Sequence, residues 1–457
     1  MIKLEFYLIL IIAFGSIALI KYVVIIDRHE RDYVYGRNEY SIAAVYAGRN
    51  FHEEVTASMA CMLQELGYEV VVYIENGFSI GGWVVPLTHK RLYSSQTMYG
   101  NCVSQFITIN SAVDIVSNPE VLMFITYPVD PNGHAIEKIA FHLLDKLNKK
   151  THDHTKLMLV VHHADKMLEP YQHFEPYFSL QQTTFLCLAE HTYKSAKQAL
   201  INRPLEIRNV TPDNAYDIRY LYPVFSMDSV MGARPVDSPD ESSRSALNLT
   251  RYPVTYSIQG NFGGVHSKRK NLGGTIQCMN SLKAPRDRLA SVSEREDADH
   301  DYLRRGVMVS VKSVQLNLVG HVNGVLELSK FSPLPHLQIR SIQNLAHKEF
   351  YQAIASTHFL VGALGNPLYT STQASSSIPA AMIAGVPLVL GADILSLYPC
   401  VRDAPVHQMV NEGSECDAIH RAFSLSNEQY SAMRGEIRHC ARQLWDEALA
   451  TLRSSVR

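Results

Sequence analysis

The stretch Ser375-Ser-Ser-Ile-Pro-Ala-Ala-Met-Ile-Ala-Gly-Val-Pro-Leu-Val-Leu390 is the part of the sequence that decides the fold. It predicts a short helix of small and apolar residues, which a glycine stops and an apolar strand follows. Ser377 can cap this helix, and Pro379 suits its first turn because no amide hydrogen is needed there. Gly385 suits the position just beyond the helix end, where a left-handed backbone is common. The segment is thus one helix–strand unit of an alternating series.

The start of this helix is a candidate phosphate site. Backbone amides at a helix start point outwards and carry the positive end of the helix dipole. Ser375, Ser376 and Ser377 add three hydroxyls beside them, so we expect these serines to bind a phosphate group. The alternative is a tight joint between helix and strand, in which the serines serve only as caps.

Apolar strand patterns alternate with helical patterns along two parts of the chain. The first series has apolar runs at residues 42–46, 68–74, 121–126, 157–161 and 185–188, and the second has them at 254–258, 314–319, 358–361 and 386–390. Such alternation predicts the α/β class, with two doubly wound Rossmann-like domains that face each other across a cleft. Ligands of these folds bind beyond the carboxyl ends of the strands.

The division of the chain follows from these two series. We expect an anchor and stem, an N-terminal domain, a linker or loop, a C-terminal domain and a final helix, at residues 1–40, 41–225, 226–251, 252–425 and 426–457. Ser426 and Gln429 fit a capping box at the start of the final helix. Residues 284–306 are rich in charge and predict a disordered surface insert.

Residues 6–26 predict a membrane-spanning helix that precedes the rest of the chain. Lys21 is their only charged residue, and a helix of this length spans about 31 Å, enough for a bilayer core. A cleaved signal peptide would have a shorter apolar core and a small-residue cleavage site after it. We therefore expect an uncleaved single-pass anchor.

Composition bounds the remaining possibilities. The chain has 457 residues, of which 46% are hydrophobic and 19% charged, and a formal net charge of −2. These values predict a globular protein of two or three domains and do not indicate a nucleic-acid partner. None of the seven cysteines forms a C-x-x-C pair, which argues against a zinc ribbon or a thioredoxin motif. We expect buried free thiols at Cys61 and Cys187, which lie in apolar periodic runs.

A second candidate phosphate-binding segment follows the strand at residues 254–258. Gly260, Asn261 and Gly263 come directly after it, and glycines there let the backbone approach a ligand closely. A basic cluster follows at Lys268, Arg269 and Lys270. The alternative reading of this cluster is a solvated basic turn at a helix start.

Together with the helical stretch 344–355 and the apolar run 359–364, these segments resemble the nucleotide-sugar-binding half of GT-B glycosyltransferases. The resemblance is to the "glycosyl transferases group 1" kind, and most of all to its membrane-anchored eukaryotic branch. It covers residues 252–425 firmly and 41–225 more loosely.

The resemblance implies an enzyme that moves a sugar from a nucleotide-diphosphate donor to an acceptor, with retention of configuration and without a metal or other cofactor. The donor would lie in the C-terminal domain, where one residue of the 268–270 cluster neutralises its diphosphate, and the carbohydrate or glycoconjugate acceptor would lie in the N-terminal domain. It also implies a type II protein with its catalytic domain in the lumen of the Golgi or endoplasmic reticulum. Sequons at Asn209 and Asn248 fit that orientation, whereas Arg28 and Arg31 after the anchor do not favour it.

The resemblance further implies catalytic residues in the N-terminal domain. A histidine at the end of the strand 157–161 would lie beside the transferred sugar, and either His162 or His163 fits this position. The alternative is a loop histidine that bonds a backbone carbonyl. Glu53 opens the first helix near the expected acceptor entrance and is a candidate general base, although first-turn glutamates also serve as ordinary dipole partners.

Other readings remain open. A non-catalytic GT-B-like scaffold is favoured by the lack of paired glutamates seven residues apart, since Gln373 and the serines stand where the first is expected. An epimerase of the same fold is weakened by the anchor. The sequence Gly77–Gly81 matches the nucleophile elbow of a serine hydrolase at Ser79, but glycines and a proline follow where its helix should begin. Asp297 and Asp299 spell a metal-binding D-x-D in the charged insert, without the rigid support that metal ligands need.

Overall fold

The computed structural model describes the chain from residue 41 onwards, with gaps. The described residues are 41–48, 53–75, 92–93, 105–109, 119–125, 155–164, 182–202, 217–224, 253–262, 270–282, 313–322, 337–343, 345 and 347–456. The predicted anchor at residues 6–26 lies outside them, and so do the sequons, the Gly77–Gly81 sequence and the insert 284–306. No helix of the described part is long and apolar enough to cross a bilayer.

The first sheet has eight strands and is almost entirely parallel. Its strands are β1 (Ile42–Gly48), β2 (Glu69–Glu75), β3 (Leu92–Tyr93), β4 (Gln105–Ile109), β5 (Val121–Phe124), β6 (Lys156–Val161), β7 (Thr183–Cys187) and β8 (Asp217–Tyr220). They lie in the order β3-β4-β2-β1-β5-β6-β7-β8, and only the β3–β4 pair is antiparallel. Strands β5 and β7 are buried along their whole length, as continuous apolar runs in a parallel sheet require.

The second sheet has five parallel strands. They are β9 (Val254–Phe262), β10 (Val314–Val322), β11 (Leu337–Gln343), β12 (Phe359–Val361) and β13 (Leu388–Val389), in the order β11-β10-β9-β12-β13. Strand β9 is longer than the apolar run 254–258 predicts, because it continues in register with β10 through Gly260 and Asn261. These two residues therefore end a strand, where the sequence predicted a loop.

Helices connect the strands of both sheets. In the described part they are α1 (Glu53–Glu65), α2 (Glu190–Asn202), α3 (Leu272–Ser281), α4 (His347–Ala355), α5 (Ser377–Ala384), α6 (Ala392–Leu395), α7 (Pro399–Arg402), α8 (Pro405–Val410), α9 (Glu415–Ser424) and α10 (Asn427–Val456). Two sheets in which helices join parallel strands confirm the predicted α/β class.

The final helix α10 packs against the cores of both sheets. Tyr430 and Met433 lie in the apolar cluster of the second sheet, whereas Ala448 and Leu452 lie in that of the first. The helix begins one residue after Ser426, whose hydroxyl accepts from the Gln429 amide while the Gln429 side chain accepts from the Ser426 amide. The predicted capping box is therefore confirmed.

Each sheet has one point where the chain order reverses. Strand β1 lies between β2 and β5 in the first sheet, and β9 lies between β10 and β12 in the second. Loops leave the two neighbouring strands in opposite directions at such a point, which opens a crevice beyond their carboxyl ends. The fold therefore has one such crevice at each sheet. Most of the polar groups described below lie at the crevice of the second sheet.

Candidate functional site

The ammonium group of Lys270 lies at the reversal point of the second sheet. Its Nζ atom donates to the carbonyl oxygen of Gly362, directly after β12, at 2.9 Å. It also donates to the hydroxyl of Ser377, the first residue of α5, at 2.8 Å. The two phosphate-binding segments that the sequence predicted therefore meet at this one cation.

The backbone of β9 leaves room for the Lys270 side chain. Gly260 has φ +151°, a conformation that favours glycine, and a Cβ atom built there would lie 3.0 Å from Lys270 Cε. A side chain at this position would press against the Lys270 side chain, so the glycine leaves room for the ammonium group beside α5. The absence of a side chain at Gly260 thus makes room for a cation at the carboxyl end of β9.

Burial lowers the pKa of Lys270 to about 8, and the nearby carboxylate of Glu415 partly opposes that shift. The cause is desolvation, because a cation that loses its water is less stable than the neutral amine. Its two partners are an uncharged carbonyl and an uncharged hydroxyl. An anion bound beside this ammonium group would therefore gain more than one bound to a solvated lysine.

The three serines before and within α5 have different environments. Ser376 is exposed and lies at the N-cap, whereas Ser375 and Ser377 are buried. Ser375 Oγ accepts from the Ser377 amide at 3.3 Å, and Ser377 Oγ donates to Gln259 Oε1 at 3.0 Å. The prediction of Ser377 as the cap was wrong, because Ser376 has the N-cap position and its side chain makes no cap hydrogen bond. All three hydroxyls have a partner within the protein, since Ser376 Oγ also lies 3.5 Å from Gln259 Oε1.

Gly385 ends α5 as predicted. It has φ +61°, and its amide bonds back to the last turn of the helix. The start of α5 is fixed from the other side by Tyr398, whose hydroxyl accepts from the Ser375 amide at 3.3 Å. The helix is therefore held rigidly at both ends.

His163 of the first sheet contacts the segment that leads into α5. It follows β6 closely and forms an isolated antiparallel bridge with Gln373, whose Nε2 lies 3.0 Å from His163 Nε2. The Ala164 amide donates to the Thr372 carbonyl at 3.1 Å in the same contact. This bridge brings a histidine from the N-terminal half of the chain within two residues of Ser375.

The neighbouring His162 is instead held within its own sheet. Its Nε2 atom lies 2.6 Å from the carbonyl oxygen of Ile125, so this nitrogen carries the hydrogen. Burial lowers the pKa of His162 to about 4 and keeps the ring neutral at pH 7. Of the two histidines, His162 fits the loop histidine that bonds a backbone carbonyl, and His163 faces the second sheet.

Several predicted site residues have no described side-chain environment. Glu53 is the first residue of α1 and Asn261 lies in β9, but nothing is described of their side chains. Gly263, Lys268 and Arg269 lie outside the described residues. Lys270 is thus the member of the basic cluster whose contacts are described.

Glu415 and Gln259 bond residues around Lys270 and α5, and Gln373 bonds His163, but none of the three was predicted as a site residue. Gln259 directly precedes the predicted site residue Gly260, and this position in the sequence could have identified it. Glu415 is the first residue of α9, and its carboxylate accepts from the Ala363 amide at 2.8 Å and from Thr275 Oγ1 at 3.1 Å. The sequence contains no pattern that links Glu415 to Lys270 across 145 residues, since only the fold brings them together.

One group in the described part has three side chains close enough to share a metal ion, namely Cys278, Cys416 and His420. The two cysteines form a disulfide, with their Cα atoms 5.6 Å apart. A second disulfide joins Cys400 to Cys440. Cys187 is a buried free thiol, as predicted, whereas Cys61 is disulfide-bonded and that expectation was wrong. An apolar periodic run indicates burial, but it does not reveal a cysteine partner elsewhere in the chain.

No protein-family model matches the chain, and no curated protein matches it in sequence. Solved structures do match it in fold. The trehalose-6-phosphate protein from E. coli bound with UDP-2-fluoro glucose superposes with a TM-score of 0.53 at 10% identity, covering 91% of this chain and 99% of that one. The values are the same for trehalose-6-phosphate synthase OtsA. A structure of OtsA in the apo form gives a TM-score of 0.50 at 9% identity, with the same coverage. These proteins are GT-B glycosyltransferases, and the likeness confirms that this chain has the GT-B fold.

Proposed function

We propose that the protein is a membrane-anchored glycosyltransferase that transfers a sugar from a nucleotide-diphosphate donor to an acceptor hydroxyl. The observation that carries this proposal is the 2.8 Å contact between Lys270 Nζ and Ser377 Oγ, at the carboxyl edge of the second sheet. A desolvated cation and a helix N-terminus are the two elements that a diphosphate needs, and here they meet at the reversal point of a GT-B fold.

The donor diphosphate would bind in front of α5. The helix dipole and the exposed hydroxyl of Ser376 would contact a phosphate oxygen, and the Lys270 ammonium would exchange its Ser377 partner for the diphosphate. Charge-assisted hydrogen bonds of this kind are worth about 1.5–3 kcal/mol each. Asn261, Gly263, Lys268 and Arg269 belong to the same proposed donor site on the strength of the resemblance alone.

In the proposed reaction the acceptor oxygen forms a bond to the anomeric carbon of the sugar while the bond from that carbon to the diphosphate oxygen breaks. The acceptor proton passes to the departing diphosphate, and the new bond keeps the original configuration. Lys270 and the start of α5 stabilise the negative charge that grows on the diphosphate, which is electrostatic catalysis without a metal ion. His163 would stand beside the transferred sugar, because it reaches the α5 segment from the acceptor side. Glu53 is the alternative proton acceptor, in which case the acceptor proton passes to its carboxylate and the diphosphate leaves without it.

The comparison suggests which donors to test first. The E. coli structure that shares this fold contains UDP-2-fluoro glucose. Uridine diphosphate sugars are therefore the first candidates for this chain, and other nucleoside diphosphates serve as the alternatives.

Two observations support a luminal location behind the anchor at residues 6–26. Disulfides join Cys278 to Cys416 and Cys400 to Cys440, and disulfides persist mainly in oxidising compartments. Protection of the large domain from protease added outside sealed microsomes is the expected result. Digestion of that domain under these conditions would contradict the location without affecting the enzymatic proposal.

The enzymatic proposal is tested by titration of the full-length protein with UDP, GDP, ADP and CDP, followed by assays of sugar transfer with the nucleotide sugar that binds. We expect one diphosphate to raise the melting temperature, since a ligand at 100 times its Kd stabilises a fold by about 2.7 kcal/mol. Substitution Lys270→Ala should reduce that shift by about half or more, and the matched change Lys197→Ala on the exposed face of α2 should leave it unchanged.

A second function is favoured by the internal use of the Ser375 and Ser377 hydroxyls. All three serine hydroxyls have partners within the protein, as expected of a scaffold that binds no donor. If the wild-type protein binds none of the four diphosphates at millimolar concentration, this GT-B-shaped scaffold replaces the enzyme.

A further inference from the structure

Glu415 supports the turn that holds the Lys270 ammonium group. Its Oε2 atom accepts from the Ala363 amide at 2.8 Å, and Ala363 has φ +49°, a left-handed conformation that alanine adopts only with support. Gly362, whose carbonyl accepts from Lys270, directly precedes Ala363. A change in the position of Glu415 would therefore alter the acceptor that holds the cation.

The other oxygen of Glu415 binds the helix that follows Lys270. Its Oε1 atom accepts from Thr275 Oγ1 at 3.1 Å, and Thr275 lies in the first turn of α3. The Asn271 amide, at the cap of α3, donates to the Ala363 carbonyl at 2.8 Å. A single carboxylate thus links both segments between which the Lys270 side chain lies.

A covalent bond fixes Glu415 in this position. The disulfide between Cys278 and Cys416 joins α3 to α9, and the two cysteines are 138 residues apart in sequence. Cys416 is the residue after Glu415, and Cys278 lies one turn after Thr275. The bond therefore closes at the same place where the carboxylate joins the two helices.

We infer that the Cys278–Cys416 disulfide is a positioning device for the proposed donor site, which holds Glu415 against Ala363 and makes the affinity for a nucleoside diphosphate depend on oxidation. The inference deepens the proposed function and rests on it for the ligand alone. The bond forms when the two thiols lose two protons and two electrons to a disulfide oxidant such as oxidised glutathione, which is reduced to two thiols. Reduction reverses the step and leaves α9 attached to α3 only by noncovalent contacts.

The second disulfide provides a matched control. Cys400–Cys440 joins α7 to α10 over a separation of 40 residues and has no contact with Glu415, Ala363 or Lys270 in the described structure. Removal of either bond should lower stability, because each bond restricts the unfolded chain. Only removal of Cys278–Cys416 should loosen the turn at Ala363.

The test compares full-length wild type with the double variants Cys278→Ser/Cys416→Ser and Cys400→Ser/Cys440→Ser. Peptide mapping without reductant should first recover residues 278 and 416 in one linked pair. Hydrogen exchange of peptides that contain Ala363 should then be faster in the first variant and unchanged in the second. The dissociation constant for the nucleoside diphosphate should rise about fivefold in the first variant only. This is the change expected when binding loses about as much free energy as one hydrogen bond contributes.

If the first double variant fails to fold, two other measurements still decide the question. One is reduction of the folded wild type, and the other is the single variant Glu415→Ala. Both should accelerate exchange at Ala363, and Glu415→Ala does so with the disulfide intact. Unchanged exchange after reduction would overturn the inference whatever the result for Glu415→Ala, and so would equal effects of the two double variants. Free thiols at 278 and 416 that bind one zinc ion together with His420 would also overturn it. If no nucleoside diphosphate binds the wild type, the proposed function fails, while exchange at Ala363 still decides whether the disulfide positions Glu415.

Discussion

The carboxyl edges of the two sheets are built from the same parallel strands but differ in electrostatics. Beyond β12 of the second sheet lie an ammonium group, a carboxylate and a left-handed turn, all within one hydrogen-bonded network. In the first sheet, the ring centroids of Tyr46 in β1 and Phe124 at the end of β5 lie 5.3 Å apart, and the ring of His162 is hydrogen-bonded to the Ile125 carbonyl that follows β5. The second sheet thus has charged groups at its carboxyl edge, whereas the His162 ring at the first sheet is neutral and held by a backbone carbonyl.

The difference predicts separate roles for the two halves of the chain. The Lys270 ammonium is half-buried between two uncharged hydrogen-bond partners, with the Glu415 carboxylate nearby, so the second sheet has the more polar edge. The N-terminal half of the chain contributes several polar groups to the segment before α5: His163 bonds the Gln373 side chain, and His191 Nε2 lies 3.0 Å from the Gln373 carbonyl oxygen. The experiments below either separate these two roles or show that they are the same.

Substitutions of the two adjacent histidines test most directly whether each one has a catalytic or a structural role. His163→Ala should lower the rate of sugar transfer about a hundredfold, the lower end of the effect of a positioned group at a reacting centre, and leave the affinity for the diphosphate unchanged. His162→Ala should instead lower the free energy of unfolding by about 1–3 kcal/mol, because it leaves the buried Ile125 carbonyl without its donor. Chemical denaturation and steady-state rates on both variants measure the two effects. Equal losses of rate in the two variants would contradict the division of roles.

Lys270→Ala tests the second sheet. It removes a charge-assisted hydrogen bond, so the dissociation constant for the diphosphate should rise about ten- to a hundredfold. Stability should also fall, because the substitution leaves the buried Glu415 carboxylate without its nearby cation, so affinity and stability are measured separately. Calorimetric titration beside Lys197→Ala measures the change. An unaltered affinity would remove Lys270 from the donor site and leave the edge of the second sheet without a ligand role.

The pH dependence of binding should come from the same residue. The pKa of Lys270 is lowered to about 8, so the ammonium form is present below that value and is lost as the pH rises through it. The terminal phosphate of the ligand is already ionised above about pH 7. The affinity should therefore fall roughly tenfold between pH 7 and pH 9, where only about a tenth of the amines are protonated. Lys270→Ala should bind weakly and with little change over this range, and a wild-type affinity that is flat across the range would show that a different cation binds the ligand.

The sequence predicted the framework of the second sheet well, because that framework depends on local patterns. The helix at 377–384, its glycine end and the strand after it follow from capping, helix-stop and apolar signals within sixteen residues. The capping box of α10 and the buried thiol of Cys187 are local in the same sense. The cluster at 268–270 indicated a basic site but not which residue contacts α5.

What the sequence could not predict depends on contacts between distant segments. Glu415 and Cys416 acquire their roles only when α9 packs against α3, and neither has a local pattern that marks it. The serines at 375 and 377 look like phosphate ligands, but their burial directs them to internal partners. His162 and His163 are adjacent in sequence, and only the direction in which each leaves the sheet distinguishes them.

The smallest expected effect tests how the second sheet makes room for its cation. Gly260→Ala places a methyl group 3.0 Å from Lys270 Cε at a φ of +151°. The strained backbone should cost about 1–3 kcal/mol of folding free energy, and the displaced ammonium group should raise the dissociation constant for the diphosphate about threefold.

Gly273→Ala is the matched control, because a Cβ atom at that position of α3 contacts nothing within 4 Å. Alanine inside a helix should stabilise the protein by about 0.5–1 kcal/mol and leave binding unchanged. If Gly260→Ala lowers the melting temperature but not the affinity, the glycine serves only the backbone of β9, and Lys270 reaches α5 without its help. If the affinity falls while the control binds normally, the missing methyl group is what allows the first residue of α5 and the cation to act on one ligand.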